Sequence, residues 1–231
     1  MSHPSDAGAP PAGGRHGRPW RAAGPTAVLL TAVLGAGLLG AGLTGQPAPR
    51  PPRPAPGAGA PGPAWSTDPD GFPTDPRGLP RATPTTITIP RIGVDAKIMK
   101  LGVEADGSVQ VPPLEQAQHA GWYSRGPSPG EIGNAVVVGH VDSAYLGPAV
   151  FFDLGALLPG DLVTVGRADG RSVTFQVDAV RAYPKEQFPA ELVYGPNDRA
   201  GLRVVTCGGV FDEQAREYPD NVIVFATLVS P

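Results

Sequence analysis

Two runs decide how this chain folds: Ala135-Val136-Val137-Val138-Gly139-His140 and Leu202-Arg203-Val204-Val205-Thr206-Cys207-Gly208-Gly209. Both are short, β-branched and closed by glycine, which is the pattern of a buried strand that stops at a turn. Working outward, Thr86-Ile87-Thr88-Ile89 alternates with period two and is stopped by Pro90. Val109-Gln110-Val111 follows the turn signal Asp106-Gly107. Leu162–Val165 and Ser172–Val177 flank Ala168-Asp169-Gly170, a hairpin by its turn chemistry, and Val222–Ala226 closes the series. Seven or eight short strands with turns between them, and no internal repeat, argue for an all-β barrel or sandwich. Helical spacing is weak, with single turns expected near Pro113–His119 and Val150–Leu157.

The strands occupy only part of the chain. Of its 231 residues, 32 are glycine and 30 proline, a fraction at the border of low complexity. The two are unevenly spread, with 18 prolines and 15 glycines already in residues 1–84. That composition break sets a folded domain at 85–231, long enough for one core. Residues 22–49 carry no charged side chain, and the apolar run from Thr26 to Gly45 has the length of a membrane-crossing helix. Arg15, Arg18 and Arg21 precede it with only Asp6 opposing, so the positive-inside rule keeps the N-terminus in the cytoplasm. The expected layout is a basic cytoplasmic tail at 1–21, a transmembrane signal-anchor at 22–45, a Pro/Gly-rich linker at 46–84 and the β domain at 85–231. A cleaved signal peptide processed near Ala41-Gly42-Leu43 is the alternative. Either way the β domain is exported, and the anchor reading puts the protein in the cell membrane with the domain outside. Pro47–Pro56 favours polyproline II, a stiff spacer.

Charge and cysteine content exclude several functions. Eighteen basic against 21 acidic residues leave no electrostatic footprint for nucleic acid. A single cysteine excludes an internal disulfide and a Cys-rich metal site, and no acidic cluster has calcium-ligand spacing; neither metal nor cofactor is expected. That cysteine is an inert core residue, an intermolecular disulfide partner or a reactive thiol. Cys207 ends a strand and is followed by Gly208-Gly209, where backbone lets a substrate approach closely. A thiol needs a base or cation to become a nucleophile. His140 also ends a strand, whereas His119 sits in a polar stretch that reads as surface. Acyl transfer further needs a group to hold an oxyanion, and Arg203 and Arg216 are the near candidates.

The elements Gly139-His140-Val141-Asp142-Ser143, Thr206-Cys207-Gly208-Gly209-Val210-Phe211-Asp212 and Asp220-Asn221-Val222-Ile223-Val224 together resemble the sortases, and most closely the class F sortases of actinobacteria. The resemblance covers about residues 85–231, and an N-terminal anchor with a spacer matches the layout of these membrane-anchored cysteine transpeptidases. It implies an eight-stranded closed β-barrel with short helices, carrying His140 and Cys207 at one end. It implies that Cys207 attacks a Leu-Pro-x-Thr-Gly-type sorting signal to give a thioester, that His140 protonates the leaving amine, and that a cell-wall amine then accepts the acyl group. Thr206, Gly208 and Arg203 become substrate-binding candidates. The family's arginine stands just before the last strand, where this chain reads Tyr218-Pro219-Asp220-Asn221; Arg216 is the nearest substitute. Two other readings differ in class: another exported thiol acyltransferase such as an L,D-transpeptidase, and a non-enzymatic anchored scaffold with Cys207 buried. The Val-Val-Thr before Cys207 departs from the Ser-x-Gly-Cys pattern of the former.

Overall fold

The computed structural model describes residues 49–57 and 78–230. The tail at 1–21, the membrane segment at 22–45 and most of the linker at 46–84 lie outside the described residues.

Eight strands close into a barrel in the order β1-β2-β3-β4-β9-β10-β8-β7. They are β1 (Pro84–Ile89), β2 (Val94–Leu101), β3 (Ala120–Tyr123), β4 (Gly133–Val138), β7 (Leu162–Arg167), β8 (Ser172–Pro184), β9 (Ala200–Gly208) and β10 (Asp220–Ser230). A two-stranded ribbon, β5 (Asp142–Ser143) and β6 (Gly147–Pro148), lies outside the barrel. In β1 the two isoleucines are buried and the intervening Thr88 is not, as alternation requires. The hairpin at Ala168-Asp169-Gly170 joins β7 to β8 in register Val165↔Val173.

Two strands of the barrel, β2 and β3, escaped the sequence reading, as did the short ribbon strands β5 and β6. In β2 the inward residues are Val94, Ala96 and Ile98, diluted by lysine and aspartate on the other face. In β3, Gly121 lies against Leu101, where a Cβ would meet the leucine side chain at 2.1 Å. The expected strand at Val109–Val111 is instead a single bridge from Val109 to Val103 in the loop between β2 and β3. The two expected helical turns are 3₁₀ turns, Leu114–Gln116 and Leu154–Ala156, and α1 (Ala190–Tyr194) was not foreseen.

The barrel interior is filled by Ile87, Trp122, Phe151, Phe175, Leu202 and Val224 among others. A second cluster sits on the outer face of β4, β9 and β10, where Val136, Val205, Ile223 and Phe225 are covered by Val193 of α1. These strands are therefore buried on both faces, which is why they read as unbroken apolar runs. Ordered contacts begin before Thr85. Leu79 donates its N–H to Gly130 O at 2.8 Å, and the Arg81 guanidinium lies 5.1 Å from the Trp122 ring centroid. Residues 53–57 also lie against the barrel, beside Val180, Ala182 and Val222, around a cavity of about 280 Å³. Two pieces of the expected linker are thus held on the domain rather than standing free.

Phe175 is fully buried in the interior cluster. Phe175→Ala is expected to cost about 3–5 kcal/mol in chemical denaturation, by lost transfer energy plus a residual cavity. A loss below about 1 kcal/mol would contradict a close-packed interior.

Candidate active site

The site begins with a strand pairing. β4 and β9 run parallel, with Val136↔Arg203, Val137↔Val204 and Val138↔Val205, and Gly139 continues the ladder by donating to Val205 O at 3.1 Å. Two residues beyond that last pair on each strand stand His140 and Cys207. Parallel strands end at the same side, about 4.8 Å apart, so both residues arrive together at one rim. Alternation also gives them a common face. Val136 and Val138 belong with Val205 to the outer cluster, so His140 and Cys207, each two residues on from the last of them, face outward as well.

Gly139 is required by packing. A Cβ there would fall 2.5 Å from the Phe151 ring and 2.7 Å from Val150, so the strand end sits directly on the plug of the barrel. Phe151 in turn donates its N–H to His140 O at 3.0 Å. The imidazole is held from the other side, with Nε2 at 2.6 Å from Pro112 O. A carbonyl only accepts, so this partner assigns the proton to Nε2 and leaves Nδ1 as the acceptor nitrogen of the neutral ring.

The thiol of Cys207 is half-buried, and burial pushes it above the ordinary cysteine value. Lys185 opposes that rise, while Asp142 and Glu217 add to it. The post-cysteine loop supplies Glu217. It turns at Gly209, whose φ of 94° is readily adopted by glycine, and folds back through a bridge between Asp212 and Glu217. Tyr218 follows, buried, with Phe211 edge-on at 5.1 Å. Its hydroxyl donates to Asp142 Oδ2, tying this loop to the segment that carries His140. Burial raises the Tyr218 phenol well above its ordinary value, reinforced by the Asp142 carboxylate, so it stays a donor.

The structure sorts the sequence candidates. It brings His140 and Cys207 together. Thr206 is buried and points inward, donating Oγ1–H to Gly139 O at 2.8 Å; it ties the two strand ends and does not line the outer face. Gly208 is likewise buried on the inner side, where a Cβ would meet Val222 at 2.6 Å. Both placements follow from alternation, since the neighbours of an outward Cys207 face inward. Arg203 shares the outer face but lies four residues down β9, roughly 13 Å away at the strand rise. Its guanidinium donates to Leu192 O at 3.0 Å and stacks 5.0 Å from the Phe225 ring centroid, so it fastens α1 to the sheet. Burial draws its pKa down to about 10. Arg216 is exposed on the post-cysteine loop, with a left-handed φ of 56°. His119 is partly exposed, its Nδ1 3.2 Å from Gln116 Oε1.

Sequence reasoning missed Pro112, Asp142, Lys185, Glu217 and Tyr218. Asp142 and Tyr218 stood inside quoted segments, but nothing in their spacing announces that they meet.

A thiol and an imidazole brought to one rim by parallel strands of a closed barrel form the apparatus of a cysteine acyltransferase. Residues 87–229 match the family model described as Sortase domain, and the chain belongs to the sortase family, whose members are cysteine transpeptidases. Among solved structures it is similar to the complex of Streptococcus agalactiae sortase C1 and MTSET, at 21% identity over 64% of this chain and 67% of that one, with a TM-score of 0.49. It is similar also to a lid mutant of sortase A from Corynebacterium diphtheriae, at 19% identity over 66% and 73% of the two chains, TM-score 0.49. A sortase D5 transpeptidase from Clostridium perfringens matches at 22% identity over 64% and 79%, TM-score 0.48. Comparison with curated protein sequences finds no match.

Thr206→Val keeps the shape and removes the hydroxyl that joins the two strand ends. It is expected to lower stability by about 1–2 kcal/mol in denaturant titration and to slow turnover. Wild-type stability and wild-type turnover together would contradict that bond's role.

Proposed function

We propose that this chain is a membrane-anchored, class F-like sortase that cleaves a Leu-Pro-x-Thr-Gly-type sorting signal and transfers the acyl group to a cell-wall amine. The observation that carries the reading is the outward placement of His140 and Cys207 at the paired ends of β4 and β9. The class assignment rests on the His140, Cys207 and Asp220–Val224 motifs. The anchor rests on the uncharged run at 22–45 and places the domain outside the membrane.

The chemistry runs in two balanced halves. Cys207 passes its proton to His140 as Sγ attacks the threonine carbonyl carbon, the Thr–Gly bond breaks, and the glycine nitrogen leaves with that proton. The acyl group is now a thioester on Cys207. An incoming amine attacks the same carbon and gives a proton to His140, the C–S bond breaks, and His140 passes that proton to the departing Cys207 sulfur. Between these steps a tetrahedral oxyanion forms, and Arg216 is the residue we assign to it. Its exposed position on a loop that returns beside Cys207 supports this role.

The test uses the full chain in detergent with a fluorogenic Leu-Pro-x-Thr-Gly peptide library, with and without an amine acceptor. Intact mass measurement is expected to show a peptidyl adduct on the wild type and none on Cys207→Ala. His140→Ala is expected to lose at least a hundredfold in turnover, and Arg216→Ala about as much. Absence of any adduct or cleavage across the library would overturn the sorting-signal reading.

A further inference from the structure

The ladder that carries the nucleophile continues across two more strands. Cys207 pairs with Asn221 of β10, and Asn221 pairs with Tyr183 of β8, so the three share a row and the outer face. One row further on, Gly208 pairs with Asp220 and Asp220 with Pro184. The β8–β10 ladder then takes one more step, because Lys185 donates its N–H to Pro219 O at 2.9 Å. Lys185 opens the 3₁₀ turn Lys185–Gln187 directly after β8, two residues beyond Tyr183, and its side chain is placed by what its ammonium binds.

Its ammonium is not left to wander. Lys185 Nζ lies 2.8 Å from Glu217 Oε2, with both side chains partly exposed. Glu217 is itself fixed by the paired backbone bonds to Asp212 and is followed directly by Tyr218, whose hydroxyl binds Asp142. The post-cysteine loop thus holds the lysine head toward the rim. An ion pair this exposed contributes little to stability, about 0–1 kcal/mol, so a purely structural purpose for it is weak.

The charges around the thiol come from every element packed there. They are His140 after β4, Asp142 in β5, Lys185 after β8, Glu217 and Tyr218 in the loop, and Asp220 at the start of β10, with Arg181 further along the β8 outer face and Arg216 exposed on the loop. Of the charges that act on the thiol, the Asp142 and Glu217 carboxylates oppose an anionic sulfur and Lys185 favours it. Pro219 stands just before the last strand and Asp220 opens it, so the cation comes from the turn that follows β8 instead.

We infer that Lys185, presented by the turn that follows β8 and held by Glu217, is the positioning cation that favours the thiolate of Cys207. This rests on Cys207 being the nucleophile, and it assigns Lys185 a function separate from that of Arg216, which serves the oxyanion. Lys185 lowers the thiol against the rise that burial imposes, consistent with the assignment.

The test needs no substrate. The rate of iodoacetamide alkylation of Cys207 in the folded full chain is measured against pH. Lys185→Met is expected to move the midpoint of that profile upward by about half a unit or more, and Lys185→Arg to restore it. Glu217→Gln is expected to move it downward, because the carboxylate removed is one that opposes the thiolate. Opposite shifts from the two members of one ion pair are not what a structural lesion produces. A Lys185→Met profile superimposable on wild type overturns the inference, and so does loss of peptide turnover without any shift. If the shifts appear while no library peptide is cleaved by any form, the sorting-signal reading fails and the role of Lys185 stands.

Discussion

Parallel pairing of β4 with β9 is the constraint on which the rest of the molecule depends. Parallel neighbours in one sheet cannot be joined by a tight turn, so the chain between them must travel. Here it travels through the β5–β6 ribbon, the 3₁₀ turn at Leu154–Ala156, the β7–β8 hairpin and α1. Those excursions are not idle. The segment from the ribbon through the 3₁₀ turn delivers Phe151 and Leu154 into the barrel, the β7–β8 hairpin closes the barrel against β1 and β10, and α1 covers the outer apolar cluster. What the arrangement secures is a pair of strand ends on one rim. A register slip of one residue would turn Cys207 inward and bring Thr206 out, so the two-sided burial of β4 and β9 specifies the chemistry as firmly as it specifies the fold.

The site then faces an electrostatic conflict. The thiol sits half-buried among Asp142, Glu217 and a buried phenol, surroundings that favour the neutral form. A resting enzyme with a protonated cysteine is protected from adventitious oxidation, since oxidation proceeds through the thiolate. Reaction therefore depends on groups that stabilise charge as it develops. Pro112 O fixes the His140 ring through Nε2, which leaves Nδ1 as the acceptor nitrogen of the imidazole. The Tyr218–Asp142 bond joins the loop after the nucleophile to the segment after the histidine, so these two halves of the site move as a unit.

The sequence made the strands with β-branched runs legible, along with the hairpin at Asp169-Gly170, because local pattern and tertiary role agree there. β2 was hidden because alanine and lysine soften its alternation, β3 because four residues are too few for a period, and α1 because five residues make barely more than one turn. His140 and Cys207 were legible as residues that end strands before glycine. The inward placement of Thr206 and Gly208 was legible too, because alternation alone turns them away from the face of Cys207. Lys185 was not legible at all. Its place depends on the register of β8 against β10, which no local signal encodes.

The central claim is that His140 and Cys207 are register neighbours on one face, and a disulfide measures it directly. Paired residues at this spacing meet the Cα separation a disulfide needs, about 4.4–6.8 Å. In a His140→Cys variant of the full chain, mild oxidation is expected to form an intramolecular bond with Cys207, seen as loss of both free thiols in a monomer and a mass lower by two hydrogens. Two thiols that stay free in the folded monomer, or that oxidise only into dimers, would contradict the account.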